Sequence, residues 1–146
     1  MQITLCNKPE FPKKKLSPQQ QAGLTYERKV FKFFRQQKRL LSWPGNLMHS
    51  PWFKVEDSNM KAMTCFLNPD ILLIGPKMIT VFECKLSQTS EAFPQLRRYG
   101  EVCKTYFGLP VNLILVFRNL YHSVNLITNL PRESHPREFF SWHLFL

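Results

Sequence analysis

The run Asn68-Pro-Asp-Ile-Leu-Leu-Ile-Gly-Pro-Lys-Met-Ile-Thr-Val-Phe-Glu-Cys-Lys-Leu86 reads as two short strands joined by a turn. Ile71 to Ile74 is wholly apolar, Gly75-Pro76 is turn punctuation, and Met78 to Phe82 is β-branched and aromatic. Strands that are apolar on both faces suit the middle of a covered sheet. Three ionisable residues stand out against that background: Asp70 where the first strand begins, then Glu83 and Lys85 at the end of the second. Side chains alternate along a strand, so Glu83 and Lys85 share a face and Cys84 points to the other. A hairpin turning at Gly75-Pro76 lays Asp70 roughly opposite the end of the second strand. Two carboxylates and an ammonium then converge at one end of an apolar sheet, where uncompensated charge is costly. Either Lys85 closes a salt bridge with one carboxylate and nothing more, or the acidic oxygens form a hard site suited to Mg²⁺ or Mn²⁺.

Upstream, Ser17 as N-cap and Pro18 in the first turn predict a helix to about Lys38. With Leu24 at zero on a helical wheel, Val30, Phe31 and Phe34 form an apolar arc with Glu27 in its middle. A carboxylate on a buried face needs a partner, either a Lys or Arg or a cation shared with the acidic cluster. Arg28, Lys29, Lys32 and Arg35 gather on one flank of this helix. Residues 1–17 read as an irregular basic arm, with Pro9, Pro12 and the run Lys13-Lys14-Lys15. Such an arm either lies along a phosphate backbone or is a solvated tail. Between helix and hairpin, Trp43 to Asn46 is a turn, Met48 to Glu56 an early strand, and Asp57 to Lys61 a polar hairpin loop.

Downstream, Ser87 to Glu91 is a polar loop, and a helix follows from about Glu91 to Tyr106, ended by Gly108 and Pro110. Its core stripe is Phe93, Leu96, Gly100, Cys103 and Phe107. Gln95 and Tyr99 form a neighbouring stripe, and Arg97, Arg98 and Lys104 lie on the outer side. Val111 to Phe117 is another buried strand, placed by the crossover helix to pair in parallel. Val124 to Leu130 is a strand or a helix, Pro131 to Pro136 a loop, and Phe139 to Leu146 a last strand with Phe140, Trp142, Leu144 and Leu146 on one side. So apolar an end needs burial in the core or against another copy of the chain, which points to a homo-oligomer of two or more subunits.

Composition bounds the function. The 146 residues make one domain, and 20 Lys and Arg against 10 Asp and Glu give a formal charge of +10. A chain this basic is expected to meet a polyanion, most commonly nucleic acid. A membrane surface competes, but no basic amphipathic helix with a lipid-like face is present. No apolar run has transmembrane length and no signal-peptide core opens the chain, so the cytoplasm or nucleoid is expected, without membrane association. Cys6, Cys65, Cys84 and Cys103 are scattered without a close pair, which favours reduced thiols in the core over a zinc or iron–sulfur site. His49, His122, His135 and His143 are likewise dispersed and read as surface or capping residues.

Four elements line up in order: Gly23-Leu-Thr-Tyr-Glu27, Pro69-Asp70, Glu83-Cys-Lys85 and Gln95-Leu-Arg-Arg-Tyr99. This resembles the PD-(D/E)xK nuclease superfamily, in particular its RecB-like and lambda-exonuclease-like branch, over about Gly23 to Phe117. The resemblance implies an α/β restriction-endonuclease-like core, a mixed central sheet flanked by helices, filling residues 18–146. Residues 118–146 would serve oligomerisation or DNA recognition. It implies that Asp70 and Glu83 bind the catalytic Mg²⁺, for which Mn²⁺ can substitute, with the backbone carbonyl of Cys84. Glu27 would add to that site or a second one. Lys85 would orient or activate the attacking water, and Gln95 and Tyr99 would position the DNA backbone or the metal site. Arg28, Lys32, Arg97 and Arg98 would hold DNA by its phosphates without reading its sequence. Some members of this branch carry a four-cysteine iron–sulfur cluster; the cysteines here give no such set, and no cluster is expected. The implied activity is a metal-dependent DNA nuclease, an endonuclease of restriction, homing, junction-resolving or repair type. The alternatives are a RecB-like exonuclease, a non-catalytic DNA-binding assembly module that keeps the fold, and RNA in place of DNA as the substrate.

Overall fold

Among the described residues two helices and eight strands build an α/β fold, and the central hairpin supplies two adjacent strands of its larger sheet. The structure is a computed structural model that describes residues 1–57, 63–87, 89, 91–119 and 139–146, with the backbone alone at 139 and 140. In chain order the elements are β1 (Gln2–Cys6), α1 (Pro18–Leu41), β2 (Asn46–His49), β3 (Trp52–Asp57), β4 (Met63–Leu67), β5 (Ile71–Ile74), β6 (Ile79–Ser87), α2 (Ala92–Phe107), β7 (Val111–Asn119) and β8 (Phe139–His143). The larger sheet is mixed, in the order β2-β5-β6-β7-β8. Its β2–β5 and β5–β6 pairs are antiparallel, its β6–β7 and β7–β8 pairs parallel. The smaller sheet, β1-β3-β4, is antiparallel throughout. No described helix is long and apolar enough to cross a membrane.

Alternation along the central strands sorts side chains into two cores. Ile79 and Val81 of β6 with Leu113, Leu115 and Phe117 of β7 face α2 and the smaller sheet. Phe82, Cys84, Ile114 and Val116 face α1. Being covered on both faces explains why these strands read as continuous apolar runs. The helix α2 lies close to β7: a Cβ at Gly100 would stand 2.6 Å from Leu113 Cδ2. On α1 the inward residues are Tyr26, Val30 and Phe34, four apart and nearly sealed from solvent. Burying Val30 and Phe34 stabilises the fold by roughly 2 kcal/mol each. Leu24, by contrast, is 38 % exposed, so the buried stripe is centred on Tyr26 and Val30, with Glu27 on its flank rather than in its middle. The predicted Ser17 cap is present as a capping box: Gln20 N–H donates to Ser17 Oγ at 3.1 Å and Ser17 N–H to Gln20 Oε1 at 2.9 Å.

Three expectations change. The N-terminal arm is not irregular throughout, because Gln2–Cys6 pairs antiparallel with Trp52–Glu56 of β3. The expected strand over Met48 to Glu56 is two strands in different sheets, broken at Ser50, whose φ of 53° turns the chain before Pro51. The apolar C-terminus, expected to be buried in the core or against another copy, is covered only in part by its own chain, with Trp142 40% and Phe145 71% exposed. Trp142 sits beside Phe34 and Phe82, with ring centroids 6.1 and 5.7 Å away, and Leu144 and Leu146 pack on the α1-side core. Tyr26 fastens this segment by donating its hydroxyl to the Leu144 carbonyl at 2.7 Å. The thiols divide as well: Cys84 and Cys103 are buried, Cys6 and Cys65 only half-buried, and all four are free. The predicted elements between Val124 and Pro136, and the loop residues 58–61, lie outside the described residues.

Candidate functional site

The strand β6 is longer than its hairpin partner. Pairing with β5 ends at Ile71 opposite Phe82, whereas pairing with β7 continues to Ser87 opposite Asn119. From Glu83 onward β6 therefore has a neighbour on one side and an open flank on the other. Asp70 occupies the start of that flank, one register step past Ile71 and so across from Glu83. Its Oδ2 accepts the Cys84 N–H at 2.7 Å, standing in for the missing strand. In an extended strand the N–H and C=O of one residue point the same way, so the Cys84 carbonyl also faces this flank.

The turn that presents Asp70 is braced from below. Ser50 N–H donates to the Asp70 carbonyl at 2.7 Å, and Asn68 Nδ2 donates to the Pro51 carbonyl at 2.8 Å. The Ser50 hydroxyl and the Asn68 amide bond each other within 3.1 Å. The strained Ser50 thus both moves the chain between sheets and fixes the Asp70 backbone.

Above the open flank lies a cleft of about 660 Å³, walled by the N-terminal half of α1, the β5–β6 hairpin and the start of α2. Glu27, Asp70, Glu83, Cys84, Lys85, Gln95 and Tyr99 all line it. Lys85 Nζ lies 2.7 Å from Glu83 Oε1 and donates to Gln95 Oε1 at 3.2 Å. Gln95 Nε2 in turn donates to the Tyr99 hydroxyl at 2.8 Å. The ammonium is therefore held from two sides, by strand and by helix. Arg28, Lys32, Arg97 and Arg98 are exposed on the helices and do not line the cleft. Arg28 is nonetheless near enough to Glu27 to favour its ionised form.

One partner was not legible. Glu27 Oε1 lies 2.9 Å from His49 Nε2, and the His49 ring stacks on Phe31 with centroids 4.6 Å apart. Glu27 thus has one oxygen engaged by a histidine that reads in sequence as a surface residue. The pairing joins α1 to β2 across 22 positions, and no local pattern signals it.

Electrostatics set this cluster apart from an ordinary salt bridge. Burial first, then Asp70, raises the Glu83 pKa to about 8 despite Lys85. Burial and Glu27 raise Asp70 to about 7 against the Cys84 hydrogen bond, and burial and Glu83 raise Glu27 to about 7. Burial works against the Lys85 ammonium, but Glu83 and Asp70 outweigh it and raise its pKa. Desolvation pushes Tyr99 up to about 12. Three carboxylates that raise one another, offset by Lys85 and at Glu27 also by Arg28, resist ionising together. Glu83 Oε2 is buried and has no hydrogen-bond partner. Among the described residues no three His, Cys, Asp or Glu side chains are grouped to hold an ion as they stand. The donors that do converge are two carboxylates and a main-chain carbonyl, all hard oxygens that suit Mg²⁺ or Mn²⁺.

No protein-family model matches the chain, and no curated protein matches it. The fold is similar to that in the crystal structure of protein VC1899 from Vibrio cholerae, with a TM-score of 0.56 and 16% sequence identity. The match covers 79% of this chain and 29% of that one, so this chain spans less than a third of that protein's length. At this identity the likeness is one of fold alone.

Proposed function

We propose that the chain is a metal-dependent nuclease that hydrolyses phosphodiester bonds of DNA, with the restriction-endonuclease-like core of the PD-(D/E)xK superfamily. The observation that carries this reading is the Asp70–Glu83 pair on the open flank of β6, with an orphaned carboxylate oxygen and Lys85 beside it. The parallel β6–β7 pair joined through α2, with β5 antiparallel on the other side of β6, supports this reading.

Asp70, Glu83 and the Cys84 carbonyl would hold the metal, and Glu27 would join them on leaving His49. A bound Mg²⁺ lowers the pKa of its water and offsets charge on the phosphoryl oxygens. Lys85, held by Gln95 and Glu83, places a fixed positive charge where the phosphate gains negative charge in the transition state. Tyr99, through Gln95, keeps that ammonium from swinging into solvent. The exposed Arg28, Lys32, Arg97 and Arg98 attract the backbone by charge rather than by base identity. A chain that pairs this site with a formal charge of +10 is suited to a polyanionic substrate.

A second reading, a DNA-binding module without catalysis, is favoured by the engagement of Glu27 with His49, which leaves two carboxylates for the metal. One experiment separates them. Closed circular plasmid and a linear duplex are incubated with the protein in Mg²⁺, in Ca²⁺ and in a chelator. Cleavage in Mg²⁺ that is lost in Asp70→Asn and Lys85→Ala, with binding kept in Ca²⁺, supports the nuclease. Retarded DNA with no nick at any Mg²⁺ concentration supports the module. Nicked circles identify an endonuclease, and loss of linear DNA with intact circles an exonuclease. RNA of the same sequence, incubated alongside, decides whether the substrate is DNA.

A further inference from the structure

The three consecutive lysines Lys13, Lys14 and Lys15 are absorbed neither by the core nor by the cleft chemistry. All three are exposed, and no ion pair ties any of them to an acidic side chain among the described residues. A solvated tail would carry such a run freely, but this one is fastened at both ends. On its N-terminal side the Phe11 ring lies 5.6 Å from Trp52 and 6.3 Å from Phe66, edge-on to the latter. That contact lays the arm against the outer face of the smaller sheet, with Phe11 still 52% exposed. On its C-terminal side, Ser17 is locked into the α1 capping box and Gln21 Nε2 donates to the Leu16 carbonyl at 3.3 Å. Leu16 itself lines the cleft, as do Gln19 and Gln20 just beyond it.

Five residue steps separate Phe11 from Leu16, a span of at most about 18 Å when fully extended. Pro12 further limits the backbone immediately before the lysines. The three ammonium groups are therefore confined to a short track ending at the mouth of the cleft that holds Asp70 and Glu83. Glu10 stands three residues before the run but makes no ion pair with it; from Phe11 to Tyr26 there is no Asp or Glu, and the first turn of α1 has no acidic residue. Three like charges held side by side cost electrostatic energy and bury no apolar surface. That cost is offset when phosphates lie along them.

We propose that Lys13, Lys14 and Lys15 form an anchored phosphate clamp, gripping the nucleic-acid backbone to one side of the phosphate that enters the cleft. The identity of the ligand rests on the nuclease reading; the clamp itself is tested by binding alone. The clamp is independent of base identity, and it sets the register of the strand relative to Asp70 and Glu83. The aromatic anchor at Phe11 determines how firmly the lysines are held.

The test uses the full chain carrying Asp70→Asn, with labelled single-stranded and duplex oligonucleotides titrated at several salt concentrations in a chelator. Each phosphate contact contributes about 0.7 to the slope of log affinity against log salt for a single strand, and about 0.9 for a duplex. Replacing Lys13, Lys14 and Lys15 by alanine is expected to reduce the slope by about 2 for the strand or about 3 for the duplex. Phe11→Ala keeps every charge but frees the arm, and is expected to weaken binding several-fold. Lys77→Ala, away from the arm, serves as the control and is expected to leave the slope within about 1 of its starting value. An unchanged slope in the triple variant overturns the clamp, whatever the wild-type chain does to DNA in Mg²⁺. An unchanged slope with loss of binding to phosphatidylserine vesicles overturns it in favour of a membrane-facing arm. A slope that falls as expected in a chain that never cuts DNA keeps the clamp and removes the nuclease.

Discussion

Replacing Glu83 by glutamine should stabilise the metal-free protein at alkaline pH, the reverse of what loss of a 2.7 Å salt bridge suggests. Glu83 is 1% exposed, and burial with Asp70 raises its pKa from 4.5 to about 8. An acid whose pKa is raised by folding gives up its proton more readily in the unfolded chain. Stability is then fullest below about pH 4.5 and falls as pH climbs towards 8. At about 1.36 kcal/mol per pKa unit, the loss from this residue alone reaches roughly 3 kcal/mol at pH 7 and under about 1 kcal/mol at pH 5. Asp70 and Glu27 move the same way, but each is raised partly by a neighbouring carboxylate, so the three effects do not add. Glutamine removes the charge and keeps a polar contact for Lys85, whose burial is then opposed mainly by Asp70, and that offsets part of the gain. The net expectation in a chelator is near-equality at pH 5 and an advantage of about 2 kcal/mol for Glu83→Gln at pH 8. For a chain of this length that is roughly 4–8 °C in Tm, read by circular dichroism. Saturating Mg²⁺ should then raise the Tm of the wild-type chain and leave that of the variant in place. A variant less stable than wild type at pH 8, or a wild-type stability flat from pH 5 to pH 8, would refute the reasoning.

Four further substitutions probe neighbouring parts. Gln95→Leu removes the link between Lys85 and Tyr99, and should lower the DNA cleavage rate about tenfold while changing affinity in Ca²⁺ less than about twofold. Gly23→Ala should raise the Tm by about 2–4 °C, because a Cβ there meets nothing within 4 Å and alanine is favoured over glycine in a helix by about 1 kcal/mol. Gly23→Trp, at the same cleft-lining position, should instead obstruct the cleft and suppress cleavage with the fold intact by circular dichroism. Gly100→Ala should cost about 1–3 kcal/mol in urea unfolding, because the new Cβ would stand 2.6 Å from Leu113 Cδ2.

What was legible in the sequence is what local chemistry decides. The β5–β6 hairpin follows from two apolar runs around Gly75-Pro76, whose turn closes with Gly75 N–H donating to the Met78 carbonyl at 3.0 Å. The start of α1 follows from Ser17 and Pro18, to which the fold adds Gln20 as the other half of a capping box. The parallel β6–β7 pair follows from a helix lying between two buried strands. The features that escaped depend on partners far away in the chain. The strand Gln2–Cys6 exists because β3, some fifty positions later, offers it an edge. His49 meets Glu27 only because β2 runs antiparallel beside β5. Ser50 ends a strand because Asp70 and Asn68 hold it in the left-handed region, not because serine breaks strands.

The placement of the charges shows the same division within a single site. Alternation correctly puts Glu83 and Lys85 on one face and Cys84 on the other, and the turn correctly sets Asp70 across from Glu83. Spacing places these charges at the end of the second strand, and β6 does close at Ser87, two residues beyond Lys85. What spacing does not show is that β5 stops pairing first, at Ile71 opposite Phe82, while β6 stays paired with β7. That one missing neighbour matters chemically. Glu83 remains sealed from below, and Asp70 takes up the Cys84 N–H on the unpaired side of the strand. Buried acids, an unpaired oxygen and a strand flank with one neighbour missing thus arise together because β5 begins only at Ile71. Extending β5 through Asp70 would give the Cys84 N–H a main-chain partner in place of the Asp70 carboxylate, so the late start of β5 is what frees that side chain to face Glu83.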